Sequence, residues 1–212
     1  MSELTLYGDA AWESPWVFHA MVALDELKVK YTLEPIRRPI ADDLKGELKT
    51  KALLPFVPAL VHGDFWLTES SAISEYLAEQ FAPPSYPRIL PADARERARA
   101  RQVISWLRTS IMGLRNDRPT TSVFMKPVTN PLSEKGRADA DELVRVASQL
   151  VAPGKQSIAS EWCIADADLA LALMRLVGNN DSFVPKHLVD YALATWGRRS
   201  VLKYLSYIPT TH

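Results

Sequence analysis

Residues Leu4-Thr5-Leu6-Tyr7 alternate between the two faces of an extended chain and are β-prone, which predicts a short strand. The stretch from Gly8 to Glu13 reads as a loop, and at Ser14-Pro15 the period changes. Serine is a good N-cap and proline suits the first helical position, and Val17, Ala20, Met21 and Leu24 then recur at helical spacing to about Leu27. Residues 31–36 predict a second strand. Residues 37–53 are polar and less regular, with a short helix over 42–51. Residues 58–61 and 65–68 read as two strands joined through His62-Gly63-Asp64, a hairpin. A helix follows over 70–81, with Ile73, Tyr76, Leu77 and Phe81 on one face.

The order is therefore βαβ, a helical segment, then ββα. It ends at Ala82-Pro83-Pro84-Ser85-Tyr86-Pro87, which predicts a first domain over 1–82, a linker over 83–90 and a second domain over 91–212. The second domain reads as wholly helical. One long helix runs from Asp93 to about Leu114, charged early and apolar later, until Arg118-Pro119 stops it. Another covers 133–151 with Ala138, Leu143, Ala147 and Leu150. Residues 165–177 are almost entirely apolar, as in the buried central helix of a bundle. Shorter helices are expected over 185–196 and 200–207. There is no internal repeat and no low-complexity tract.

Charge narrows the picture. Lys plus Arg and Asp plus Glu number 25 each in 212 residues, so the formal net charge is zero. That balance gives no argument for nucleic acid or a membrane surface as a partner, and neither is expected. The basic stretch Arg97, Arg99, Arg101 and Arg108 reads as a solvated helix face or a contact between subunits. No apolar run approaches the ~18 residues of a membrane-spanning candidate, and the N-terminal residues show no signal-peptide pattern. Cys163 is the single cysteine, so no internal disulfide is possible, which suits a reducing compartment. The expected location is cytoplasmic. No metal site is indicated.

Two segments carry candidate chemistry. Leu54-Pro55-Phe56-Val57-Pro58-Ala59-Leu60 places a proline at the entrance to an apolar strand, although proline cannot donate a ladder hydrogen bond. A cis Val57-Pro58 bond would account for it and leave the Val57 backbone open to a ligand. Glu69-Ser70 sits where a strand gives way to a helix, whose free N–H groups attract an anion. Together they predict a pocket for a peptide-like anionic molecule.

The βαβ-ββα half, Ser14-Pro15 at the first helix, Val57-Pro58 before the third strand and Glu69-Ser70 before the third helix resemble a cytosolic glutathione S-transferase. Trp162-Cys163-Ile164-Ala165-Asp166-Ala167-Asp168 resembles that family's capping motif on its buried central helix. The resemblance spans nearly the whole chain and looks closest to bacterial, serine-type members. It implies the glutathione S-transferase fold, an α/β thioredoxin-like N-terminal domain plus an all-α C-terminal domain. It also implies a homodimer with one glutathione site per subunit, glutathione serving as co-substrate.

Residue by residue, the resemblance implies that Ser14 donates to the glutathione thiolate. It implies that Val57, beside Pro58, pairs its backbone with the cysteinyl unit, and that Glu69 and Ser70 hold the γ-glutamyl ammonium and carboxylate. Tyr7 is a rival thiol donor that reads better as core or rim. Trp12, Trp106, Ile111, Met112 and Arg115 are candidates for a second-substrate pocket taking a small hydrophobic electrophile or hydroperoxide. Read from the sequence alone, Ser14 is also a plain N-cap, and the pocket candidates are also ordinary packing residues.

Phe56 departs from the family pattern, because many members carry a polar residue where it cannot hydrogen bond. Lys49, Lys51, Arg37 and Arg38 are alternatives for holding the glycine carboxylate. Cys163 reads as a buried N-cap substitute rather than a nucleophile, which favours conjugation or peroxide reduction over thiol-disulfide exchange. The rival to a transferase is a non-catalytic binding protein on the same fold.

Overall fold

The structure, a computed structural model, describes residues 3–209. The chain divides into two compact units, Met1–Ile89 and Leu90–His212. The first holds β1 (Leu4–Asp9), α1 (Pro15–Glu26), β2 (Thr32–Ile36), α2 (Asp42–Lys51), β3 (Ala59–His62), β4 (Phe65–Thr68) and α3 (Ser70–Gln80). Its four-stranded sheet has the order β2-β1-β3-β4, with β2 parallel to β1 and the other two pairings antiparallel. This is the mixed sheet that the resemblance implies for a thioredoxin-like first domain.

Alternation along β1 decides which helix covers which residue. Tyr7 and its partner Ala59 lie on the α2 side, where Leu48 and Ala52 pack with Ala59, Tyr7 and Trp66. On the opposite face Gly8 meets α1: a Cβ there would stand 3.0 Å from the Val17 side chain. Phe18, Met21 and Leu24 of α1 are fully buried, each contributing about 1.5–3 kcal/mol by leaving water. His19 Nε2 and Ser74 Oγ, both buried, join α1 to α3 at 3.0 Å.

The second unit is helical throughout: α4 (Ala94–Thr109), α5 (Met112–Asp117), α6 (Thr120–Phe124), α7 (Glu134–Leu150), α8 (Ile164–Val177), α9 (Lys186–Trp196) and α10 (Arg199–Leu205). Every residue of α8 from Ile164 to Leu176 is buried, so α8 is the central helix that its apolar run predicts. Asp166 ties down its N-terminus. Its carboxylate accepts from Cys163 N at 2.9 Å, Ile158 N at 2.9 Å, Ser157 Oγ at 2.8 Å and Tyr191 OH at 2.7 Å. Arg118 clamps Asp181 through two bonds of 3.0 and 3.1 Å.

The single helix expected from Asp93 to Leu114 is instead two. α4 ends at Thr109, Ser110 is extended, and Ile111 takes a left-handed conformation at φ 52°. The break buries Ile111 and Leu114 and lets Gly113 N donate to Asp139 at 2.6 Å. Isoleucine is a poor left-handed residue, so nothing local announces the break. α6 lies in a stretch that its sequence does not mark as helical. β1 runs past Tyr7 through Gly8 and Asp9, because β2 continues to pair with it there.

Candidate active site

Strand register gathers the candidate residues of the first unit. Ala59 pairs with both Tyr7 and Thr68. The residues just before Ala59 and just after Thr68 therefore meet at one end of the sheet, the end where β1 also stops. Val57-Pro58, Glu69-Ser70 and the β1–α1 loop leading to Ser14 all emerge there. α1 and α3 both begin at this end, so two helix N-termini contribute partial positive charge there. The arrangement suits an anion with peptide character.

Ser14 is the N-cap of α1 at φ −76°, ψ 117°, and its Oγ accepts from Val17 N at 3.3 Å. It is buried, at 6% exposure. Capping and a contact to a bound thiol are chemically compatible, because a hydroxyl can accept with a lone pair and donate its proton at the same time. Val57-Pro58 is cis. Among the described residues, the Val57 amide and carbonyl enter none of the turn, loop or cap backbone hydrogen bonds. Glu69, the N-cap of α3, holds φ 68°, ψ 108° and makes no side-chain capping bond. Ser70, the first residue of α3, is buried at 4% exposure.

The rival donor Tyr7 stacks on Trp66, ring centroids 5.7 Å apart, within the cluster under α2. Burial first, then Glu47 and Glu34, raise its phenol pKa. Phe56 is 58% exposed. Of the cations considered for a carboxylate, Lys51 bonds Glu47 at 2.6 Å and sits 4.8 Å from the Trp66 ring centroid. Arg38 Nε lies 3.8 Å from Asp9 Oδ1. Arg37 and Lys49 are exposed.

The second-substrate candidates fall in both units. Trp12, in the first, is buried at 8% exposure with φ 56°. Trp106 is half-buried on α4, and Met112 is 45% exposed on α5. Arg115 is half-buried, its Nη1 donates to Arg108 O at 2.9 Å and to Met112 Sδ at 3.3 Å, and burial lowers its pKa. Met112 and Arg115 are thus in contact on α5.

Cys163 is fully buried at the start of α8. Burial chiefly, with Asp166 second, pushes its thiol pKa far up from 9.0, so it stays protonated and unreactive. A disulfide reagent is expected to find no accessible thiol in the native chain and one after denaturation; rapid labelling of the native form would refute this placement. Because the folded thiol titrates above the unfolded one, its contribution to stability is complete below about pH 9 and declines as pH rises. Wild type is therefore expected to lose more melting temperature than Cys163→Ser between pH 8 and 10. Parallel profiles would contradict that.

Asp9 is the residue that sequence reasoning passes over. It is buried at 1% exposure, and its carboxylate accepts from the amides of Ala11 at 3.2 Å and Glu13 at 3.3 Å. An Asp at a strand end before two alanines is an Asx-turn signal that could have marked it. Among the described residues, no group of three or more His, Cys, Asp or Glu is placed to hold a metal ion. Nor is any helix long and apolar enough to cross a membrane.

A mixed sheet unit of this order followed by a helical unit matches the fold that the resemblance implies, and comparison with known proteins agrees. The family model described as glutathione S-transferase, N-terminal domain matches residues 2–79. The one described as glutathione S-transferase, C-terminal domain matches residues 93–209. The chain belongs to the glutathione S-transferase family.

It is similar to glutathione S-transferase U13 of Arabidopsis thaliana, 41% identical over 93 residues that cover 43% of this chain and 39% of that one. It is 38% identical to human glutathione S-transferase theta-1 over 82 residues, 36% and 33% of the two chains. The chain spans about two fifths of the length of the first of these relatives and a third of the second. Among solved structures, a glutathione transferase homolog from Burkholderia, crystallised with bound glutathione, covers 97% of both chains at 31% identity and a TM-score of 0.76. The tau-class enzyme of mango, Mangifera indica, has a TM-score of 0.71 at 21% identity over 97% of this chain and 96% of that one, a likeness of fold.

Proposed function

We propose that the chain is a serine-type glutathione transferase that binds reduced glutathione at the end of its N-terminal sheet and directs the thiolate at an apolar electrophile. The observation that carries this reading is Glu69. A non-glycine residue at φ 68°, ψ 108° stores about 1–3 kcal/mol of backbone strain, and such positions cluster where a ligand is gripped. The strained turn leaves a carboxylate exposed beside the N-terminus of α3, a matched pair for the ammonium and carboxylate of a γ-glutamyl group. The bound glutathione of the Burkholderia homolog supports the same ligand.

In this reading Val57 offers its amide and carbonyl to the cysteinyl backbone in the manner of an added strand. Ser14 donates to the sulfur. A free thiol has a pKa of about 8.5, and a charge-assisted bond plus the dipole of α1 lowers it. The thiolate then forms a carbon–sulfur bond as the electrophile's leaving group departs. With a hydroperoxide as acceptor, sulfur attacks the terminal oxygen, the O–O bond breaks as the alcohol leaves, and a second glutathione thiol displaces water from the resulting sulfenic acid to close the disulfide. A homodimer in the cytoplasm completes the proposal.

The test is a calorimetric titration with reduced glutathione. One site per chain is expected. Absence of binding at millimolar ligand would favour the non-catalytic binding protein, the reading that an exposed Phe56 in place of a polar residue supports. Ser14→Ala is expected to raise the pKa of bound glutathione by about one unit, the equivalent of one charge-assisted hydrogen bond. An unchanged ultraviolet thiolate titration would leave Ser14 as a cap alone.

A further inference from the structure

Between the end of β1 and Ser14 lie only Ala10, Ala11, Trp12 and Glu13, and every one of their amides is spoken for. Ala10 N donates to Ile36 O at 2.9 Å and Trp12 N to Asp9 O at 3.2 Å. Ala11 N and Glu13 N donate to the two carboxylate oxygens of Asp9 at 3.2 and 3.3 Å. Asp9 itself therefore accepts three of these four bonds. A carboxylate at 1% exposure is costly unless its oxygens are satisfied, and here the loop supplies the donors. Trp12, held at φ 56° and buried, needs such a brace, because a bulky residue does not adopt that conformation unaided.

We infer that Asp9 is a positioning residue: its buried carboxylate fixes the loop that sets the Ser14 hydroxyl against the glutathione thiol. The inference rests on the proposed thiolate role of Ser14. Asp9 does not touch substrate in this scheme. It acts through the backbone, holding both ends of a four-residue span so that the N-cap of α1 has one location. Serine-based activation tolerates little error, since a hydrogen bond to a thiolate weakens steeply with distance and angle. Arg38, whose Nε is 3.8 Å from Asp9 Oδ1 and whose side chain is 60% exposed, is the charged group facing the carboxylate.

The sign of one measurable effect separates positioning from simple charge. Were Asp9 only a nearby negative charge, removing it would make the bound thiol more acidic, because a like charge disfavours the thiolate. If it positions Ser14, removing it makes the thiol less acidic. The experiment is an ultraviolet thiolate titration of glutathione bound to wild type, Asp9→Asn, Ser14→Ala and the double variant, with glutathione affinity measured by calorimetry. Asp9→Asn keeps the shape but turns an amide donor toward one of the two loop amides.

The thiol pKa is expected to rise by about one unit in Asp9→Asn, with glutathione Kd changed less than about threefold because Glu69 and Ser70 are untouched. The double variant is expected to rise no further than Ser14→Ala, since the two act through one hydroxyl. A fall in pKa, no change, or an additive rise in the double variant overturns the inference about Asp9 while leaving Ser14 in place. If Ser14→Ala itself shifts nothing, the thiolate assignment fails and Asp9's role falls with it.

Asp9→Ala, which adds no misplaced donor, serves where Asp9→Asn does not fold. Hydrogen exchange on the unmodified protein gives an independent check: the amides of Ala11 and Glu13 are expected to be protected, and rapid exchange at both would remove the brace.

Discussion

Asp166→Ala is expected to be the most destabilising single change in the chain, costing about 3–5 kcal/mol. The carboxylate is fully buried and accepts from two backbone amides, one serine hydroxyl and the Tyr191 phenol. Truncation leaves these donors facing a void. Each unsatisfied buried donor costs about 1–3 kcal/mol, offset in part where water enters. The lost contacts also join three segments: the 157–158 turn, the start of α8 and α9. Asp166→Asn is expected to fall between wild type and alanine, because it keeps one acceptor and introduces one wrong donor. The check is a urea titration followed by circular dichroism. An Asp166→Ala midpoint equivalent to within about 1 kcal/mol of wild type would mean that the network is ornamental to stability.

The readable and unreadable parts of this chain divide along physical lines. α1 and α7 were legible because their ends are written in local chemistry: Ser14-Pro15, and Ser133, whose hydroxyl accepts from Gly136 N at 3.0 Å; α3 was legible from the helical spacing of Ile73 and Leu77, both buried. α8 was legible because nothing but burial explains so apolar a run. The interruption at Ser110 and Ile111 was not. It is driven by what Ile111, Gly113 and Leu114 gain from the rest of the helical unit, and isoleucine gives no turn signal. Tertiary context overrode a locally helical pattern there.

The site shows the same division. Val57-Pro58 and Glu69-Ser70 stand out as residue types that their elements do not need. Their convergence is a property of strand register, which pairs Ala59 with Tyr7 and Thr68 and cannot be read from spacing alone. Asp9 carried only a weak Asx-turn signal for a related reason: its bonds to Ala11 N and Glu13 N exist only once the loop folds back onto it. The positive φ of Glu69 likewise belongs to the fold. A sequence reports that a glutamate precedes a helix, whereas the structure reports that it is held in a conformation glycine would prefer.

That last feature sets up the strongest test of the ligand assignment. Glu69→Ala is expected to weaken glutathione binding by about 2 kcal/mol, roughly 30-fold, the low end for truncating one partner of a charge pair because Glu69 is exposed. Glu69→Gln is expected to lose nearly as much, since the amide keeps the shape and drops the charge that faces the ammonium. Glu69→Gly adds a second axis. Glycine accepts φ 68° without a Cβ penalty, so this variant is expected to bind as poorly as Glu69→Ala yet melt at a higher temperature. Stability and affinity would then move in opposite directions at one position, the mark of strain retained for function. Calorimetry and thermal melting on the three variants decide it. Wild-type glutathione affinity in all three variants would remove Glu69 from the site. A Glu69→Gly protein less stable than Glu69→Ala would show that the turn carries no strain for glycine to relieve.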